Sequence, residues 1–198
     1  EKKLPEGLNL IVGALAIAPL ARIIAIAVDP VVNSTLLNIG RMISAAAEQS
    51  PIIMGFLLGG IMKMICTSPL SSMALTAMLG LDGLAMGIAA IACVGGSFTN
   101  GIIFDRLKLG ERSNVIAVML EPLTQADIIT QNPIPIYGSN FFGGGLAGLA
   151  AAMLGIINNA PGTASPIPGL LAPFGFNPPL KVVAAIVLAA IGGSLAGF

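Results

Sequence analysis

Long apolar runs alternate with short polar interruptions along this chain, and the runs are long enough to predict helices. A helix needs about 20 mostly apolar residues to cross a bilayer. Leu8 to Val28 meets that length, despite Pro19 and Arg22. Asp29 to Ser50 is more polar, with Arg41 and Glu48, and reads as an amphipathic or interfacial segment. Pro51 to Ile65 is apolar but short, with Lys63 near its end. Gly83 to Phe104 and Val182 to Phe198 are further apolar segments, and Phe141 to Ile157 is apolar and rich in glycine. Asp105 to Asn114 is the dense charge cluster. Arg106, Lys108 and Arg112 make it the expected cytoplasmic loop, and Lys2 and Lys3 favour a cytoplasmic start.

Two interruptions stand out. The first is KMICTSPLSSMALTAMLGLDGLAMG, residues 63–87. Pro69 has no N–H and pushes Ser68 toward extended backbone, so a helix arriving through Cys66 is expected to stop near Thr67. Ser71 and Ser72 can cap a new helix through Met73 to Leu79. The expected result is two half-helices meeting inside the protein, with Asp82 at the following turn; a simple helical hairpin with a polar turn is the alternative. The second interruption is NNAPGTASPIPGLLAPFGFNPP, residues 158–179, with six prolines and no charge. No charged residue lies between Asp127 and Lys181. Irregular backbone at membrane depth is tolerated only inside protein or beside a water-filled cavity. The segment therefore reads as a re-entrant or buried connection, with an extracytoplasmic loop as the alternative. Both interruptions contain a Ser-Pro step, and paired broken segments point to a transporter's binding site. The spacings Gly55/Gly59, Gly83/Gly87, Gly144/Gly148 and Gly193/Gly197 allow close helix packing in lipid.

Composition narrows the class. The 198 residues are 56% hydrophobic and 9% charged, with a mean hydropathy of +0.95. Soluble domains carry about 25% charged residues, so an integral membrane protein is expected. A net charge of zero argues against a nucleic-acid partner. The chain has no histidine, which removes the commonest metal ligand and general base; no metal site or cofactor is expected. Cys66 and Cys93 sit in apolar runs and read as small buried residues, in no activated setting. The chain opens at Glu1 and closes without a polar cap, and more membrane sequence is expected outside it.

The carboxylates and amides in MLEPLTQADIITQNPIP, residues 119–135, are the candidate chemistry. Glu121 and Gln125 share a helical face by their spacing, and both suit hydrogen bonding to sugar hydroxyls. Pro122, Pro133 and Pro135 are expected to break this segment. The alternative places Glu121 in water at the interface. Arg22 is expected to snorkel or to pair with Asp29 or Glu48.

TSPLSSMALTAMLGLDGLAMGIAAIACVGG (67–96), LTQADIITQNPIPIYGSN (123–140) and GIINNAPGTASPIPGLLAPFG (155–175), in that order, resemble the type-2-like IIC membrane components of the sugar phosphotransferase system, a group also labelled toxin-regulator membrane proteins. The resemblance covers most of the chain from about Leu10. It implies an all-α, polytopic bundle with broken or re-entrant helices, forming one IIC-like domain over 1–198. It implies a multi-pass protein of the bacterial inner membrane, a homodimer that binds a sugar or small polar solute and moves it by alternating access. IIA and IIB proteins would be the phosphotransfer partners. Thr67, Ser68, Ser71, Asn158, Asn159 and Thr163 would then line the cavity, with Glu121 and Gln125 on the sugar. The chain would carry out no covalent chemistry. Such sites often pair a glutamate with a histidine; Glu121 can match the first and nothing matches the second. A membrane sensor that binds without transport and a carrier of a non-sugar solute are the rival readings.

Overall fold

The computed structural model describes residues 6–198. Lys2 and Lys3, read as a cytoplasmic start, lie outside them. Among the described residues the regular structure is helical: α1 Glu6–Gln49, α2 Pro51–Thr67, α3 Ser72–Met78, α4 Gly83–Arg106, α5 Arg112–Leu120, α6 Ala126–Gln131, α7 Pro133–Met153, α8 Pro166–Leu171 and α9 Pro179–Gly197. Two 3-10 turns, Pro122–Gln125 and Ala172–Gly175, precede α6 and follow α8.

Proline starts these helices more often than it stops them. Pro51, Pro133, Pro166 and Pro179 each occupy a first helical position, where the missing N–H has no partner to lose and φ is already set. Pro133 breaks the segment as expected, since α6 ends at Gln131 and Asn132 leaves helical geometry, while Pro135 lies within the first turn of α7. The expected boundary near Asp29 is absent. α1 is continuous for 44 residues through Pro19 and Pro30, about 66 Å at 1.5 Å per residue. Arg22 pairs with neither expected carboxylate: Asp29 accepts instead from Asn33 Nδ2 at 2.8 Å.

The centre of the bundle is α4, whose most apolar stretch is 89% buried. It is surrounded by α2, α7 and α9. Glycine sets the separations. Cβ atoms added at Gly55 and Gly59 of α2 would strike backbone at Gly144 and Gly148 of α7, and one at Gly193 of α9 would strike the Gly95 carbonyl of α4. Helices that meet backbone to backbone gain dispersion contacts that lipid tails cannot better. Gly83 is different: a Cβ there meets nothing within 4 Å, and its φ of +53° opens α4 after the turn at Asp82.

The contacts fix directions. Gly55, Gly59 and Gly60 of α2 face Ala152, Gly144 and Phe141 of α7, so these helices are antiparallel. Gly96 lies on Lys63 and Asn100 on Thr67, so α4 runs parallel to α2; Gly193 and Gly197 against Gly95 and Thr99 make α9 parallel to α4. Three connections follow. Residues 68–82 carry the chain back along the bundle between two parallel helices. Residues 107–132 leave and rejoin the bundle at one end, and residues 154–178 do so at the other. α4, α9 and much of α1 are long and apolar enough to cross a membrane, while α2 is apolar and shorter.

Candidate functional site

The first break is built by local chemistry. Ser68 Oγ donates to the Ile65 carbonyl at 2.7 Å and accepts from Leu70 N at 3.1 Å, closing the end of α2. Ser71 Oγ accepts from Ala74 N at 3.1 Å and caps α3. Ser72 Oγ reaches across the bundle to donate to the Ala164 carbonyl at 2.6 Å. That bond joins the two interrupted segments.

The second excursion, 154–178, is held by amides. Asn177 Oδ1 accepts from Ile157 N at 3.0 Å, while its Nδ2 donates to the Ile157 and Pro173 carbonyls at 2.7 and 2.8 Å. The excursion is thus clasped at its base. Lys181 Nζ donates to the Gly155 carbonyl at 3.0 Å, just beyond the end of α7. Asn159 Oδ1 accepts from Gly83 N at 3.1 Å, and Asn158 N donates to the Gly83 carbonyl at 2.9 Å. Asn158 Nδ2 donates to Thr163 Oγ1 at 2.8 Å, and that hydroxyl donates to the Ala160 carbonyl at 2.8 Å. From this base the segment climbs until Pro166, Ile167 and Leu170 stand beside Val94, Ser97 and Phe98, midway along α4.

The third segment descends from the opposite end. α5 packs Met119 onto Gly101 of α4 and stops at Leu120. Glu121 is extended (φ −149°, ψ 95°) because Pro122 follows it. The expected helical face shared by Glu121 and Gln125 therefore does not form. Gln125 Oε1 accepts from Asn114 Nδ2 at 2.7 Å, and Asn114 Oδ1 accepts from Glu111 N at 2.8 Å.

The three interruptions converge. Cys66, Leu70, Ser71, Ser72, Met73, Glu121, Leu123 and Ser165 enclose a cavity of about 150 Å³, room for several waters. Of the eight residues expected from sequence, Ser71 and Glu121 line it. Glu121 is exposed at its mouth. Thr67 is buried behind it and accepts from Asn100 Nδ2 at 3.4 Å. Ser68, Gln125, Asn158, Asn159 and Thr163 hold the backbone of the surrounding segments. Cys66 is buried in the apolar core as expected, and it also forms part of the cavity wall. A larger depression of about 400 Å³, lined by Arg41, Glu48 and Asp82 among others, lies between α1 and the turn into α4, away from the point of convergence.

Sequence reasoning did not place Ser72, Ser165 or Cys66 at the site, nor the buried polar layer behind them. Asn140 Nδ2 donates to Asn100 Oδ1 at 2.6 Å, and Lys63 is fully buried in the same core. A lysine inside an apolar run was the available signal.

The family described as Phosphotransferase system, EIIC, matches residues 2–198. The chain belongs to this family. Membership, the all-helical structure and the apolar helices make it a membrane protein and a component of a phosphotransferase permease. No curated relative and no solved structure matches this EIIC chain.

Proposed function

We propose that this EIIC chain binds a sugar or a related small polar solute in the cavity of Ser71 and Glu121, and carries it across the bacterial inner membrane by alternating access. The observation that carries this reading is the convergence of three helix interruptions on one cavity walled in part by Ser71, Ser72, Ser165 and Glu121. Broken helices cost backbone hydrogen bonds, and polar cavities in lipid cost solvation. Both are retained where a polar solute must be held.

The segments 107–132 and 154–178 act in this reading as re-entrant hairpins entering from opposite faces of a multi-pass protein. Glu121 accepts from solute hydroxyls. Ser71, Ser72 and Ser165 supply further hydroxyl partners. Thr67 and Ser68 shape the inner wall, and Gln125, through Asn114, fixes the approach of the Glu121 loop. Asn158, Asn159 and Thr163 keep the opposing hairpin rigid, so that it moves as a unit. Access alternates when one hairpin tip parts from the cavity while the other stays seated. The chain itself forms no covalent bond; phosphoryl transfer belongs to IIA and IIB partner proteins. A homodimer with lipid around it would cover the apolar length of α1, which is exposed on its own.

The test is a thermal-shift screen of the purified protein in detergent against sugars, wild type beside Glu121→Gln. A bound solute at 100 times its dissociation constant stabilises the fold by about 2.7 kcal/mol. A shift with a sugar that is lost in Glu121→Gln, followed by uptake of that sugar into proteoliposomes, supports the reading. Binding without uptake turns it into a sensor. Full affinity in Glu121→Gln removes the carboxylate from the site.

A further inference from the structure

Lys63 has no acceptor. Its side chain is fully buried, and its Nζ has no hydrogen-bond partner among the described residues. The lone ion pair among those residues joins Lys108 and Asp105 at 3.7 Å, both exposed at the far end of α4. Yet the core is shaped around Lys63. A Cβ at Gly96 of α4 would fall on its Cγ, Cδ and Cε, and one at Gly144 of α7 on its Cβ. Two helices keep glycine where the lysine stem passes.

A buried charge without a partner is destabilising, and an apolar side chain of the same length would pack there without that cost. Asn140 Oδ1 is likewise buried without a partner, but a neutral amide supplies no counter-charge. The wall of the cavity begins one turn further along α2. Cys66, three residues on in α2, forms part of its wall. Lys63 and Glu121 both lie within electrostatic reach of the Cys66 and Cys93 thiols. The cavity therefore has an acceptor at its mouth and an unpaired cation behind its inner wall.

We infer that Lys63 is a specificity-determining residue that pairs with an anionic group on the transported solute, so that the solute class is an acidic sugar, one carrying a carboxylate. This rests on the cavity being the solute site. Glu121 takes hydroxyls at the mouth, and the carboxylate is drawn inward. The four single bonds of the lysine stem let its ammonium swing past the Cys66 thiol to meet the carboxylate.

The experiment compares wild type, Lys63→Met and Lys63→Gln by thermal shift in detergent, with gluconate, glucuronate and neutral glucose as probes. Wild type is expected to shift with an acidic sugar more than with glucose. Lys63→Met is expected to melt higher than wild type without ligand and to bind the acidic sugar roughly 30-fold more weakly or worse, the loss seen when one member of a buried charge pair is removed. Lys63→Gln keeps the length and a donor without the charge, and is expected to lose acidic sugars in the same way, which guards against a folding defect in one variant. Equal acidic-sugar shifts in all three proteins overturn the inference. So does a shift with glucose alone, which leaves the permease reading standing. Silence of wild type toward every sugar removes both.

Discussion

The two excursions into the bundle are built in contrasting ways. Residues 154–178 carry no charge and are clasped at the base by Asn177, Lys181 and Asn159, with Asn158 and Thr163 tying the turn. Residues 107–132 begin among exposed charges, are tied chiefly through Asn114, and leave Glu121 free at the tip. The difference shows where each can spend its polar groups. A segment inside the bundle must satisfy its own backbone, because water is scarce there. A segment that begins in water can deliver an uncommitted carboxylate to the cavity.

Substitutions can break this contrast. The largest effect is expected from Gly87→Leu. Any Cβ at Gly87 lands on the Ile156 carbonyl, at the root of the uncharged excursion. The side chain has nowhere to go, and a loss of about 3 kcal/mol or more is expected, read as loss of the folded peak in detergent gel filtration. Asn177→Ala comes next. It removes three hydrogen bonds and leaves the part-buried Ile157 N–H and carbonyl without partners, for about 2–3 kcal/mol. Thermal melting and protease cleavage within 154–178 check it. Unchanged protection there would show that the clasp is not what holds the excursion.

Asn114→Ala removes the matching ties of the other excursion. About 1 kcal/mol is expected, because both partners can turn to water. A loss equal to that of Asn177→Ala would erase the contrast. Glu121→Gln is expected to change stability by less than about 0.5 kcal/mol, since the exposed carboxylate has no hydrogen-bond partner among the described residues. Its effect should appear only when a solute is present.

Much of the helical framework was legible in the sequence, and the reasons are local. Pro69 with flanking serines stops α2 and caps α3 through bonds made within a few residues. The glycine pairs of α2 and α7 announced close packing, and the two helices do meet along them. The misreadings are also local in origin. The polar residues from Asp29 onward suggested a separate interfacial segment, but α1 runs on through Pro30 without a break. Pro135 looked like a breaker but lies in the first turn of a helix that Pro133 starts. The even spacing of Glu121 and Gln125 implied a shared face, which the proline between them prevents.

By itself the sequence determined the class: an apolar chain with few charges must put its surface in lipid. It also determined which segments could not be ordinary spanning helices, since proline and serine act on their immediate neighbours. Only the tertiary structure decided that α4 stands at the centre, that the excursions enter from opposite ends, and that Ser71, Glu121 and Ser165 meet. It alone showed Lys63 enclosed by Gly96 and Gly144. Those contacts join residues tens of positions apart, and no periodicity within one segment encodes which partner a helix face will find. Packing chooses among the faces, because only one arrangement fills the space that the glycines leave open.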